Sequence, residues 1–523
     1  DWSSDVCSSD LTEPVELVYS NIKGIWFEDN YIRTYPCSTL AADVIGFTSG
    51  NSEGAYGVEE YYDDVLSGVQ GRTYGYLDES LNMEQTTVQP TDGNNLVLTL
   101  DANIQSICEK YLKSFNEEYK DKKHKGNGTN NAACIIMDVN TGGILAMASE
   151  PGFDLNDPYN IDAVAGMPKL NEKDAATSSY LTLEEARSLS DSDKTRYLRT
   201  LWSNYCVSAH YEPGSTAKPF TTASGLESGK LKRDDTFLCT GQLLVGDTWI
   251  KCAHLEGDGV LNIASAIERS CNVSLMQEAA KIGPETFCKF QNIFNFGLKT
   301  NVDLAGEARM DGYLYSADEM SEVDLASNSF GQNFEVTMIQ MISGYCSLIN
   351  GGNYYQPHIV DKITSAGGST VSTSTPRVLK KTVSEETSAM IRQYCIQAVE
   401  GSHATGVLAC PAGYRIGGKT GTAETLPRGN GQYVVSFLGF APAEDPQICI
   451  YVVLDRINNK KQDEAGRACQ VTRRILTEVL PYMNIYMTEP LTDAERLELE
   501  ELGLYDTNER TEEEGGEDAQ ASE

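Results

Sequence analysis

The apolar positions of this chain change period along its length, and each change predicts an element. Residues 12 to about 92 are mixed, rich in Tyr and Gly, and hold no long periodic run; within them YGVEEYYDDVLSG suits a short helix and the rest reads as loops and strands. TDGNN at 91–95 is a turn cluster and a domain boundary. After it, LVLTLD reads as a short strand. ANIQSICEKYLKSFNEEY then places Ile104, Ile107, Cys108, Tyr111 and Leu112 on one face at helical spacing. AACIIMDVN and GILAMAS are strand-like runs joined by TGG, a hairpin signal. Residues 170–200 are polar and read as helix or loop, and several helices follow between about 215 and 350. GYRIGGKTGTAE, YVVSFLGFAPA and QICIYVVLD are three strand-like runs in succession. The turn PAEDP joins the last two, which predicts an antiparallel sheet. VTRRILTEVLPYM is a closing amphipathic helix. Beyond about 490 the chain is charge-rich, ends ERTEEEGGEDAQASE, and buries too little apolar surface to order itself. Strand, helix, hairpin, helices, then antiparallel strands give an α+β fold.

Composition narrows the partners. The chain has 523 residues, 40% hydrophobic and 22% charged, with a formal net charge of −35. So acidic a chain lacks the basic face that phosphate binding needs, which argues against nucleic acid. No run of 18 apolar residues is present, so these residues predict no membrane-spanning helix. Residues 1–11, DWSSDVCSSDL, read as the translation of a sequencing adapter fused to the reading frame, and they take no part in the fold reasoning. Of the 14 cysteines, Cys7 lies in that segment; the remaining odd number leaves at least one unpaired within the chain. There is no Cys-x-x-Cys and no His-Glu-x-x-His, so neither pattern indicates a zinc site, and most thiols read as small buried apolar groups. Cys239 and Cys252 flank CTGQLLVGDTWIKC, a hairpin turning near Gly246. Two readings stand there: a disulfide or two separate buried thiols.

Candidate chemistry centres on YEPGSTAKPF, residues 211–220. Ser215 and Lys218 form Ser-x-x-Lys, a spacing that a chain of this length holds about twice by chance at average usage. It recurs in SNIK, Ser20 to Lys23, so context decides. Ser is a natural helix start, and Ser215 suits an N-cap as well as a nucleophile at a helix N-terminus, where orphan N–H groups stabilise developing negative charge. Residues i and i+3 share a helical face, which puts Lys218 beside Ser215. A serine hydroxyl needs a base. A lysine serves only with its pKa lowered by burial or a neighbouring cation. Lys419 in GGKTGT (417–422) is the candidate cation, and Gly417 and Gly418 would let a ligand or another backbone approach closely. SCN, Ser270 to Asn272, offers a hydroxyl and a carboxamide. Ser-x-Asn also occurs at 80–82 and 114–116, but Lys-Thr-Gly occurs once, and the ordered trio is far more specific than any member.

With these motifs the chain resembles the penicillin-binding proteins, specifically the class B transpeptidases of cell-wall synthesis. The similarity extends over nearly all of residues 12–485. RTYPCSTLAADVIGF and GAYGVEEYYDDVLSGVQG resemble the non-catalytic pedestal that follows the membrane anchor. IIMDVNTGGILAMASEPGFDLNDP, SFGQNFEVTMIQMISGYCSLINGG and SFLGFAPAEDP are also close to family patterns. The resemblance implies a partial pedestal, dimerisation-like domain at 12–92, a penicillin-binding/serine β-lactamase-like transpeptidase domain at 93–490 and an acidic, disordered tail at 491–523. It implies that Ser215 attacks the penultimate D-Ala carbonyl of a D-Ala-D-Ala stem peptide, with Lys218 taking its proton. Ser270 relays a proton to the leaving D-Ala, and Asn272 holds the donor peptide and orients Lys218. Lys419 supplies positive potential, and Thr420, Gly421 and Thr422 line the substrate carboxylate site. Backbone N–H groups of Ser215 and Thr422 form the oxyanion hole. The same resemblance implies no cofactor and no metal, covalent binding of β-lactams, and an extracytoplasmic catalytic domain on the cell membrane, anchored by a segment that precedes residue 12. The partners it implies are a membrane glycosyltransferase and divisome or elongasome proteins. A D,D-carboxypeptidase or serine β-lactamase shares the trio, and a non-catalytic β-lactam sensor or scaffold shares the fold; the pedestal segments favour the transpeptidase over the first two.

Overall fold

The computed structural model describes residues 32–50, 52–77, 83–310 and 312–504. The 1–11 segment, SNIK and the last part of the acidic tail lie outside them. Helix α1, Ala102–Tyr119, starts at Asp101, whose carboxylate accepts the N–H groups of Asn103 and Ile104. It buries Ile104, Cys108, Tyr111 and Leu112, with Ile107 half-buried, on the face that the helical period predicts. Strands β1, Asn131–Asp138, and β2, Ile144–Glu150, form the expected hairpin.

The middle of the chain supplies helices α2, Lys218–Glu227; α3, Ile263–Glu268; α4, Asn272–Ile282; and α5, Met338–Ile349. After α6, Glu385–Glu400, come strands β3, Gly417–Glu424; β4, Tyr433–Ala441; and β5, Ile448–Asp455, then helix α7, Gly466–Tyr482. These strands make one antiparallel sheet in the order β3-β4-β5-β1-β2. The chain therefore leaves the sheet after its first hairpin, builds the helical region, and returns to complete it.

Alternation along the strands divides the interior into two cores. Ala132, Cys134 and Ile136 of β1 pack with Cys108 and Leu112 of α1 and Ile475 and Leu476 of α7. Ala133, Ile135 and Met137 face the opposite way and pack with Phe220 of α2 and Ile342 of α5. With helices on both faces, the central strands are apolar at nearly every position, which is why QICIYVVLD shows no polar alternation. Residues on the pedestal side of 91–95 share this interior: Val44 and Val58 join the α2 core, and Phe47 packs edge-on against Trp202 at 5.0 Å.

Two local expectations change, and one open choice between two readings is decided. The 170–200 region contains a hairpin, Pro168–Leu170 with Ala176–Tyr180, ahead of helices Leu183–Ser188 and Asp191–Trp202. Its strands are polar, so no apolar alternation marks them; the Tyr197 hydroxyl accepts the Leu170 N–H at 2.9 Å. Order also continues beyond 491. Helix Asp493–Glu501 is capped reciprocally by Thr492 and Glu495 and buries Leu499. Finally, Cys239 and Cys252 are free thiols. The hairpin between them does turn near Gly246, with Gln242–Val245 paired to Thr248–Lys251. The Cys252 sulfur instead lies 3.7 Å from Cys271.

Candidate active site

The chain reaches Ser215 through a turn that only glycine can make. Gly214 has φ 58°, the left-handed region, and a Cβ there would lie 2.5 Å from the Thr422 carbonyl oxygen. Its N–H donates to the Gly331 carbonyl at 2.9 Å. Gly331 is itself left-handed, and a Cβ on it would lie 1.9 Å from the Gly214 carbonyl oxygen. Ser215 then sits in a 3-10 turn, Gly214–Ala217, that runs into α2 at Lys218. It is not an N-cap: Pro213 occupies that position, and no side chain caps the turn. The Thr216 hydroxyl donates to the Pro213 carbonyl at 2.7 Å. Ser215 therefore carries no capping role in this turn.

Lys218 is fully buried and its ammonium joins two of the motifs. Nζ donates to the Ser270 carbonyl at 2.6 Å, the Ser270 hydroxyl at 3.0 Å and the Asn272 Oδ1 at 2.7 Å. These three acceptors match the three N–H donors of an ammonium. Ser270 has φ 54°, an uncommon state for a residue with a side chain, which turns both its carbonyl and its hydroxyl toward one partner. Asn272 follows as the first residue of α4. Burial pulls the Lys218 ammonium down to about 8. Burial also holds Lys419 well below the usual lysine range, and the Lys218 charge adds to that effect. Glu278, fully buried on α4, is pushed up to about 8 by burial, and its carboxyl accepts the Thr222 hydroxyl at 2.7 Å.

Strand β3 forms the facing wall. Lys419 donates to the carbonyl and hydroxyl of Thr420, each at 3.2 Å, and the hydroxyls of Thr420 and Thr405 are 2.8 Å apart. A Cβ on Gly421 would lie 2.3 Å from the Ser436 hydroxyl and 3.0 Å from the Pro213 carbonyl, so glycine lets the strand run against the nucleophile turn. Gly417 and Gly418 make room mainly for aromatic rings, and at Gly418 also for a neighbouring backbone, the Leu438 carbonyl, 2.9 Å from where a Cβ would sit. A Cβ at either would enter the Phe440 or Phe437 ring, at 2.2 Å and 2.3 Å respectively.

Ser215, Asn272 and Thr422 line one cleft of about 600 Å³. Sequence reasoning missed the rest of its wall, which includes Trp249, Lys251, Gln332, Glu424 and Arg428. Arg428 pairs with Glu212, three residues before Ser215, at 2.7 Å. Glu212 also accepts the Asn333 N–H at 2.9 Å, so the pair joins the nucleophile turn to the loop after β3. Glu424 is the carboxylate among the described lining residues, and its Oε1 accepts the N–H groups of Gly429 at 2.9 Å and Gly431 at 3.3 Å. A lysine of lowered pKa three residues after a serine, a polar relay that holds that lysine and a facing strand can together support nucleophilic acyl transfer.

Comparison with known proteins bears on the same residues. Residues 132–477 match the penicillin binding protein transpeptidase domain, and residues 6–98 match the penicillin-binding protein dimerisation domain. Stage V sporulation protein D of Bacillus subtilis (strain 168) is 31% identical over 483 residues, covering 90% of this chain and 67% of that protein. A probable peptidoglycan D,D-transpeptidase PenA of Neisseria meningitidis is 25% identical over 502 residues, covering 94% and 75%. Among solved structures, the D,D-transpeptidase domain of a peptidoglycan glycosyltransferase from Eggerthella lenta superposes with a TM-score of 0.68 at 25% identity, covering 87% of this chain and 94% of that one.

Proposed function

We propose that this chain, which belongs to the penicillin-binding protein transpeptidase family, cross-links peptidoglycan as a D,D-transpeptidase through an acyl-enzyme on Ser215. The observation that carries the reading is the buried Lys218 ammonium, one helical turn from Ser215 and held by Ser270 and Asn272. Ser215 Oγ attacks the penultimate D-Ala carbonyl of a stem peptide while neutral Lys218 accepts its proton. The developing oxyanion is met by the N–H groups of Ser215 and Thr422, an arrangement supported by the close approach of Thr422 to Gly214. Ser270, bonded to Lys218, passes the proton to the departing D-Ala nitrogen, so one peptide bond breaks as one ester forms. Lys419, Thr420 and Thr422 hold the terminal carboxylate, and Gly421 lets that strand approach. An amine from a neighbouring stem peptide then attacks the ester, returns its proton through the same relay and frees Ser215.

A β-lactam takes the first half of this path and stops as an ester. The family implies the peptidoglycan substrate and β-lactam binding. We further place the catalytic domain outside the cytoplasmic membrane, working beside a membrane glycosyltransferase and the division or elongation machinery. No described helix is long and apolar enough to cross a membrane.

Deacylation separates this reading from a hydrolase. A β-lactamase needs a carboxylate free to activate water, and Glu424 has one oxygen engaged by Gly429 and Gly431. The test supplies a thioester or lipid-linked stem-peptide donor together with an amine acceptor. The aminolysis product should exceed the hydrolysis product, and a penicilloyl adduct should persist for minutes or longer. Rapid penicillin turnover, or hydrolysis that dominates at high acceptor concentration, would move the assignment to a β-lactamase or carboxypeptidase.

A further inference from the structure

A second cavity, of about 450 Å³, adjoins the Ser215 cleft. Its size is that of an ordinary small-ligand site. Glu424 lines both spaces. The Glu212–Arg428 pair stands at their boundary, with Arg428 in the cleft wall and Glu212 in the cavity wall. The cavity is closed by the ends of β3, β4 and β5, by the segment 205–212, and by the exposed Ala176 of the strand Ala176–Tyr180. Five of its lining side chains are carboxylates and two, His210 and Arg456, are basic. His210 is paired with Glu335, so the remaining carboxylates outnumber the remaining cation.

Asp455, the last residue of β5, supplies an independent observation. It lines the cavity, is 6% exposed, and its Oδ1 has no hydrogen-bond partner among the described residues. Arg456 leaves the strand at φ 51°, yet its Nη1 stops 3.6 Å from Asp455 Oδ2, beyond hydrogen-bond range. A buried carboxylate oxygen left in this state is costly unless a ligand or water satisfies it. Burial raises the Asp455 pKa, a penalty that an arriving cation would offset. Tyr205 and Tyr211 line the same space with nearly parallel rings 6.4 Å apart, and aromatic faces also attract cations.

We propose that this cavity receives a primary ammonium of the donor stem peptide, carried on the side chain of the residue that precedes D-Ala-D-Ala; the inference rests on the transpeptidase reading above. In that reading Lys419, Thr420 and Thr422 hold the terminal carboxylate, and Ser215 meets the next carbonyl. The rest of the donor therefore runs past Thr422 toward Glu424, where the cavity begins. Cross-linking uses an amine on a neighbouring stem peptide, and like stem peptides each carry one, so the donor brings its own. Asp455 and Glu424 supply the charge that recognises it, and Tyr205 and Tyr211 the aromatic wall. No bond is made or broken in the cavity. An amine held there as an ammonium keeps its proton and stays away from its own ester, which leaves the ester to the acceptor.

Two thioester donors test this on the full chain: an α-acetylated lysyl-D-Ala thioester with its side-chain amine free, and the same compound with that amine acetylated. Acylation of Ser215 without acceptor is followed by mass spectrometry of the intact protein. The free amine should give at least a tenfold higher kcat/KM, expressed mainly in KM. Ala176→Trp fills the cavity mouth from an exposed position and should bring the two donors within about twofold of each other. Asp455→Asn should do the same; if it fails to fold by circular dichroism, Ala176→Trp decides. Equal rates for the two donors on the unaltered protein would overturn the proposal, as would a preference that survives Ala176→Trp or a folded Asp455→Asn. A preference seen only in aminolysis, when the amine sits on the acceptor, would give the cavity to the acceptor and overturn the donor assignment. Benzylpenicillin carries no amine, so its labelling of Ser215 tests the acyl-transfer reading separately.

Discussion

The two walls of the cleft are built by different means. Strand β3, carrying Lys419 to Thr422, is one edge of a five-stranded sheet and is paired with β4 over its whole length, from Gly417–Phe440 to Glu424–Tyr433. The opposite wall combines Ser270, Asn272 and the hairpin 242–251, whose strands pair only with each other. Its Ser270–Asn272 segment joins two short helices through a few backbone bonds, Ser270 N–H to Ile267 and Cys271 N–H to Ala266, and its carbonyl, hydroxyl and carboxamide all gather on Lys218. A ladder fixes position through many cooperative bonds, so one lost side chain matters little to it. A side-chain hub depends on each member, and the reacting proton passes through that hub. The mobile part of the chemistry thus sits on the wall that single substitutions disturb most.

Ser215→Ala is the substitution with the largest expected effect and tests the meeting point of both walls. Fluorescent-penicillin labelling that survives denaturation should disappear, a loss on the order of 10⁴-fold or more by analogy with other serine nucleophiles. Ser20→Ala should leave labelling unchanged. Labelling of the Ser215→Ala protein equal to that of the parent would remove the nucleophile and the hub together.

Next comes the hub itself. Lys218→Ala should slow acylation by about 10² to 10⁴-fold, the usual range for a lost general base. The unaltered enzyme should also show a pH signature. Lys218 accepts a proton only when neutral, and its pKa lies near about 8, below the ordinary lysine value. Lys419, Glu278, Cys252 and Cys271 are the titratable neighbours that interact with it. The acylation rate should therefore rise about tenfold per pH unit below 8 and level off above it. A flat profile between pH 6 and 8, measured by stopped penicillin labelling, would deny Lys218 the role of base.

Gly421→Ala probes the sheet wall. Its added methyl would meet Ser436 and Pro213 at 2.3 and 3.0 Å, forcing β3 away from the nucleophile turn. Overpacking of this kind costs about 1–3 kcal/mol, visible as a lowered denaturation midpoint, and acylation should fall about tenfold. Stability and acylation both unchanged would mean that the ladder yields more readily than its pairing suggests.

Much of this arrangement is legible in the sequence because its signals are local. Helix α1 and the β1–β2 hairpin follow from apolar period, and β3 to β5 from three apolar runs separated by turns. The Ser215–Lys218 pair is local too, and motif order ties it to Ser270, Asn272 and Lys419. What stays hidden is joined only by folding. Arg428 meets Glu212 from far along the chain with no motif to mark either residue. Cys252 and Cys271 come to 3.7 Å of each other with no short spacing in the sequence to pair them. The 168–180 hairpin is hidden for another reason: its strands are short and mostly polar, and only Pro168 in them is buried, so burial leaves no pattern in them.

Trp249 gives the smallest expected effect and the finest division between the walls. It lies on the hairpin at the cleft, 59% exposed, and touches none of the proton-transfer groups through a hydrogen bond. A bulky donor peptide entering the cleft would cover part of the indole, whereas a small penicillin would cover less. Covering about 50 Å² at about 25 cal/mol per Å² is worth about 1.2 kcal/mol, close to a tenfold change in binding. Trp249→Ala should accordingly raise KM for a stem-peptide thioester by up to about tenfold, with kcat nearly constant. Penicillin acylation should change by less than about threefold, because binding lost equally from ground and transition states does not touch the chemical step. A fall in kcat, or equal losses for penicillin and thioester, would show the hairpin acting on the Lys218 hub and would erase the separation between a reacting wall and a gripping one.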